Sequence, residues 1–177
     1  MASTAQRLSA EERRDQVLDA AVAEFGERGY HAASTASIAK RAGISQPYIY
    51  ALFSDKRELF RAVHHRVVGQ IRSAFVQAAA GASSPDEALE AMGHAYKPLM
   101  SDGRLLSAQL QCIAAASGDA DLRAYVGAGF RALVDDVARL SGADPAAVAS
   151  FIACGMYINV ALAVGQPELV EPLLEDS

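Results

Sequence analysis

The chain has 177 residues, 16 of them Lys or Arg and 21 Asp or Glu, for a formal charge of -5; 51% are apolar and 21% charged. That is long enough to bury a core without disulfide or metal staples, and the composition excludes a disordered, collagen-like or disulfide-scaffold chain. Cys112 and Cys154 have neither CxxC nor Cys/His spacing, so they read as small hydrophobes in a reducing compartment, with no metal and no cofactor expected. The opening MASTAQRLSAEERR holds no apolar stretch of the kind a secretory signal needs, and a cytoplasmic location is expected.

The net charge conceals a division. Residues 1–72 carry 11 basic and 8 acidic side chains, net +3, whereas residues 73–177 carry 5 and 13, net -8. One part can approach a polyanion and the other would be repelled.

Helical spacing runs through the chain and no segment alternates long enough to make a strand, so an all-α fold is expected. Ser9 with Glu12 forms a capping box ahead of Val17, Leu18, Ala21, Val22 and Phe25, predicting a helix over 10–28 that stops at Gly29. Thr35 can cap a second helix through Ala42, ended by Gly43, and Ser45 a third through about Phe53 with Pro47 in its first turn. Ser54 can cap a long helix over about 55–81. Ser84, Pro85 and Glu87 open the next, which Pro98 should kink or end by removing a bond to the His94 carbonyl. Further helices are predicted over 104–116, and from Asp119 to Gly142.

The last long helix begins at Asp144 and Pro145, and no charge occurs between Pro145 and Pro167. Such a run is long enough to span a bilayer. It is nevertheless rich in Ala and Gly, contains Ser150 and Asn159, and lacks flanking Lys or Arg, so burial in an oligomer is the expected reading and membrane insertion is not.

Function is concentrated in TASIAKRAGISQPYIYALF, Thr35 to Phe53. Two helices crossing steeply over a tight turn need apolar residues at fixed offsets, a small residue at the crossing and Gly in the turn. Ile38, Ala42, Ile44, Ile49 and Leu52 are the apolar set, Ala39 the small residue and Gly43 the turn. In a helix-turn-helix the second helix reads base edges. Gln46 can pair with adenine, Tyr48 offers ring or hydroxyl contact, and Ser45 and Pro47 flank them at the helix start. Thr35, Tyr50 and Lys56 are placed to meet backbone phosphates. Arg7, from an N-terminal arm, reads as a solvated tail rather than a minor-groove contact.

These residues resemble the TetR family of transcriptional regulators. The similarity runs from about Arg13 to Val63, through FGERGY (Phe25 to Tyr30), IAKRAGIS (Ile38 to Ser45), YIYALF (Tyr48 to Phe53) and SDKRELF (Ser54 to Phe60). Gln46 and Pro47 resemble a pair found in some members, whereas Leu52 departs from the aromatic or His often found at its position. The resemblance implies a three-helix DNA-binding domain, residues 1–54, joined by a long helix to a helical ligand-binding and dimerisation domain, residues 55–177. It implies a homodimer built from about 120–140 and 145–164, in which effector binding tilts the connecting helix. The expected partners are an operator of double-stranded DNA, which a repressor would leave when a small, mostly apolar or aromatic effector binds. Candidate effector contacts are Met92, Tyr96, Met100, Gln109, Ile113, Phe130 and Tyr157.

Two other classes fit less well. An enzyme would have to use His94, Cys112 or scattered carboxylates, without a nucleophile elbow, phosphate loop or metal spacing. The adjacent His64 and His65 point in different directions on a helix, which argues against shared metal ligation. A pure interaction module would keep the helix-turn-helix as scaffold but lose salt-dependent DNA binding.

Overall fold

In a computed structural model, residues 9–101 and 103–171 are described, and among them there are eight α-helices and no strand. The helices are α1 (Ala10–Ala32), α2 (Thr35–Arg41), α3 (Gln46–Leu52), α4 (Lys56–Ala79), α5 (Pro85–Ser101), α6 (Gly103–Gly118), α7 (Ala120–Ser141) and α8 (Pro145–Ala163). Arg7 lies outside the described residues. The all-α expectation holds, with a helix-turn-helix followed by a helical C-terminal region.

Capping explains where most helices begin, and it corrects two of the expected caps. The Ser9–Glu12 box forms reciprocally, at 3.1 and 2.7 Å. At α2 the cap is Ser34, whose Oγ accepts from the Ser37 amide at 3.0 Å, and Thr35 is the first helical residue. With two adjacent cap formers, burying Thr35 against α3 leaves Ser34 to satisfy the amide. Likewise Asp55, not Ser54, caps α4 by accepting from the Glu58 amide at 2.7 Å, while Glu58 accepts from the Ser54 amide at 2.6 Å. Ser45 occupies the cap position of α3 without a side-chain capping bond.

Pro98 does not end α5, which continues to Ser101. Near a helix terminus the missing amide costs one bond in a turn whose last carbonyls are unpaired in any case. Asp119 and Gly142 bound α7 as expected, Gly142 in the left-handed conformation at φ 66°. Gly29 interrupts α1 at φ 70° and ψ 174°, after which one further turn reaches Ala32.

The core begins where α1 meets α4. Phe60 packs edge-on against Phe25, with ring centroids 5.0 Å apart, and tilted against Tyr30 at 4.8 Å. Along α4, Val63, Val67, Ile71 and Phe75 continue the buried stripe and meet Met92, Leu122, Leu133 and Val137 of the C-terminal helices. α1 also lies along α6, where a Cβ at Gly26 would stand 3.3 Å from the Ala108 amide nitrogen and the Ser107 Cβ. Glycine at position 26 therefore sets how closely these two backbones approach.

α4 and α7 run side by side in one direction. Arg57 bonds Asp121 at 2.9 Å, the Tyr125 hydroxyl donates to the Arg61 carbonyl at 3.3 Å, and Arg72 bonds Asp136 at 2.6 Å, each pair 64 residues apart in sequence. His64 lies within this seam, 6% exposed, with Tyr125 edge-on at 5.5 Å. Burial, aided by the neighbouring His65, lowers the His64 pKa to about 4.

The sign of that shift makes a prediction. An unfolded histidine titrates near 6.5, so the folded state binds fewer protons; the contribution is complete above that value and lost as pH falls towards 4. Urea unfolding between pH 7.5 and 4 should show a loss on the order of 2–3 kcal/mol from this group. The His64→Gln protein should lose that component, and parallel profiles for the two proteins would assign the acid sensitivity to other groups.

α8 differs from the rest. By length and composition it could cross a membrane, and only Val148, Asn159 and Ala161 along it are buried. Tyr157, Val160 and Val164 are exposed, as is Phe130 on α7.

Candidate nucleic-acid interface and effector cavity

The turn between α2 and α3 is built by Gly43, at φ 63°, and by the Ile44 amide donating to the Ala39 carbonyl at 3.0 Å. Ile38, Ala39, Ala42 and Ile49 are buried and Ile44 and Leu52 half-buried, which places the apolar set between the helices and against α1. Burying these residues fixes the opposite face of α3 outward. Ser45, Gln46, Pro47, Tyr48 and Tyr50 are all exposed there.

Three of the residues expected to touch DNA are tied to one another. Gln46 Nε2 donates to Thr35 Oγ1 at 2.8 Å, and the same oxygen lies 3.0 Å from the Tyr50 hydroxyl. Thr35 is buried and therefore acts as the post on which two exposed side chains are fixed. The Gln46 amide keeps its oxygen and one N–H for a base edge. Tyr48 stands apart from this cluster on the same helix, where no side-chain bond ties it to α2.

Lys56 is half-buried at the start of α4. Its ammonium donates to the His31 carbonyl at 3.2 Å and lies 4.9 Å from the centre of the Tyr30 ring, and burial lowers its pKa. The cation is thus held at the junction of α1 and α4, beside the helix start that would receive a phosphate.

A supporting contact was not evident from the residue pattern. Arg14 Nη1 donates to the Leu52 carbonyl at 2.8 Å and its guanidinium sits 4.1 Å from the centre of the Phe53 ring, closing the end of α3 against α1. Its polar position on α1 gave no signal, because the partner lies 38 residues away. Arg41 is likewise engaged, forked onto Glu27 at 2.6 and 3.0 Å. Lys40 is exposed beside it on α2.

α4 and the C-terminal helices line an open cavity of about 790 Å³, within the range of small-molecule sites. Phe75, Leu89, Leu106, Phe130, Phe151 and Met156 contribute apolar walls. Tyr96 supplies the polar point: its hydroxyl donates to Asn159 Oδ1 at 2.9 Å and lies 3.2 Å from Gln109 Oε1. Burial raises the Tyr96 pKa, keeping the phenol neutral. Glu90, His94 and Lys97 also border the space.

Of the expected effector contacts, Tyr96, Gln109 and Phe130 border this cavity. Met92 is buried in the core outside the lining, and Ile113 and Tyr157 are exposed outside it. The Met100 side chain lies outside the described residues. Phe151 and Met156 escaped selection because the whole of α8 is apolar, so the sequence offers no face to prefer.

Residues 17–63 match the family described as bacterial regulatory proteins, tetR family. A TetR-like transcriptional regulator from Rhodococcus sp. RHA1 superimposes with a TM-score of 0.70 and 25% identity, over 90% of this chain and 88% of that one. Residues 17–63 thus carry the DNA-binding segment of the tetR family, on a fold like that of the TetR-like Rhodococcus regulator. Among TetR-family relatives, the transcriptional activator FasR of Mycolicibacterium smegmatis is 50% identical over 72 residues, 41% of this chain and 33% of that protein. The regulator BetI of Yersinia pestis is 39% identical over 74 residues, 42% of this chain and 37% of that protein. The matches to these two relatives therefore cover about a third of their lengths. The fold is also shared with FadR from Bacillus subtilis, solved in complex with stearoyl-CoA, at TM-score 0.71 and 21% identity over 86% of this chain and 88% of that one.

Proposed function

We propose that the chain is a sequence-specific DNA-binding transcriptional regulator, acting as a homodimeric repressor in the cytoplasm and released from a palindromic operator by a mostly apolar effector. The observation that carries this reading is the outward face of α3, where Gln46 and Tyr50 are anchored on Thr35 and Tyr48 is left open. Side chains fixed before binding lose less rotamer entropy on meeting a base. Thr35, Tyr50 and Lys56 would hold the phosphate backbone, Ser45 and Pro47 flank the start of the reading helix, and Gln46 and Tyr48 would read sequence. Residues 1–54 serve as the DNA-binding part and 55–177 as the effector and dimer part.

The exposed apolar surface of α8 and Phe130 supports the dimer, since a second copy would remove it from water without requiring a membrane. The apolar walls around the Tyr96, Asn159 and Gln109 group suit an elongated apolar molecule with one hydrogen-bonding group. A fatty acyl chain meets that description, in keeping with the stearoyl-CoA complex of the FadR relative. The relative FasR is named an activator, so the sign of control is a separate readout, obtained by placing the selected site upstream of a reporter.

Selection of bound sites from random duplex DNA, at low and at physiological salt, tests the reading. Recovery of a two-fold symmetric site is the expected result. Folded protein that selects nothing at either salt would overturn DNA binding and leave the cavity as the centre of function.

A further inference from the structure

The seam between α4 and α7 contains one contact that depends on shape alone. A Cβ built at Gly129 would collide with His64 Cε1 and stand 3.2 and 3.4 Å from its Nε2 and Nδ1. The imidazole therefore lies directly on the α7 backbone, in a notch that only glycine provides. Of the other links along the seam, the Tyr125 hydroxyl reaches the Arg61 carbonyl, and the ion pairs Arg57 to Asp119 and Asp121 and Arg72 to Asp136 join long side chains with a partly exposed guanidinium. Such pairs follow a moving partner and specify position weakly. A flat ring against bare backbone does not adapt in that way.

The notch also adjoins the cavity. Phe130, next to Gly129, and Leu133, one turn further along α7, both border it. On the other side of the seam α4 leads back to Lys56 and Arg57 beside the helix-turn-helix. From this juxtaposition we infer that His64 seated on Gly129 is the positioning contact through which α7 sets the placement of α4, and hence of α3, in the DNA-binding state. An occupant that displaces Phe130 shifts the backbone on which the imidazole rests, so the cavity and the reading head share one mechanical joint. The inference rests on the proposed DNA-binding function only for its consequence at DNA; the joint itself is a statement about α4 and α7.

The experiment uses Gly129→Ala, His64→Ala and the double variant in the full chain, with nitroxide labels at the exposed positions Ala51 and Ala124 in a Cys154→Ser background. The label distance distribution is read with and without the selected duplex, alongside binding and thermal unfolding. The G129A protein should keep its helical content, show a displaced distance distribution and bind the duplex at least tenfold more weakly. Removing the ring in the double variant should return both readouts to those of His64→Ala, a rescue that lost stability alone would not produce. An unchanged distance in folded G129A, or a displacement that persists in the folded double variant, overturns the joint. If G129A does not fold, the joint is judged on His64→Ala and His64→Leu, whose shorter side chains vacate the seat on Gly129 and should shift the label distance, while a distance distribution equal to the parent's in both refutes it. Wild-type protein that selects no duplex refutes the DNA-binding reading, and the distance data still decide the joint.

Discussion

Phe25→Ala is expected to lower the unfolding free energy by about 3–5 kcal/mol, a fall in melting temperature of roughly 6–20 °C for a chain of this length. Phe25 is fully buried, and its ring meets Phe60 edge-on on one side and Tyr30 at 6.4 Å on the other. Truncation would empty the volume where α1 is fastened to α4, and the two helices cannot close on it because α1 is also held against α6 at Gly26. Thermal and urea unfolding of the parent and variant measure the effect. A cost below about 1 kcal/mol would mean that the junction collapses around the missing ring.

Gln46→Ala is expected to relax the preference at one base pair in each half-site by about 1–3 kcal/mol, with the effect repeated across the two half-sites of a symmetric operator. The variant removes an amide that is aimed from Thr35, so direct readout is lost and the rest of α3 keeps its backbone. Thr35→Val separates anchoring from reading. It leaves the Gln46 amide in place but untethered, and should weaken binding while retaining part of the preference. Competition with single-base operator variants checks both, and an undiminished preference at every position in Gln46→Ala would remove that side chain from sequence recognition.

The helix-turn-helix was legible because its constraints are local. Ile38, Ala39, Gly43 and Ile49 lie within twelve residues, and two short helices can satisfy that spacing in essentially one way. The same proximity made the caps ambiguous: Ser34 beside Thr35 and Ser54 beside Asp55 are chemically equivalent candidates, and the choice fell to tertiary burial and to the Glu58 side chain. The cavity was legible only in part. Met92 and Tyr96 share one face of α5 and both are buried, yet only Tyr96 borders the space, because the distinction depends on where α8 crosses. Position on a periodic stripe predicts burial and does not predict which neighbour is on the other side. His64 was invisible for a related reason, since its seat is a glycine 65 positions away that carries no side chain to signal an interaction.

The close approach of α1 to α6 at Gly26 and Gly29 bears on how such proteins can be recombined. A residue larger than glycine at 26 would press on the Ser107 and Ala108 backbone region, and a Cβ at 29 would stand 2.8 Å from Gln111 Oε1. The first helix is thus shaped to one particular stretch of α6, and that stretch belongs to the half of the chain proposed to sense the effector. A chimaera joining residues 1–54 to a foreign sensor would inherit an α1 without its matching groove. Transplanting α6 residues Arg104 to Gln111 along with the reading head is the minimal graft that keeps the fit, and the border of an exchangeable module in this chain therefore runs through the packing rather than along the sequence.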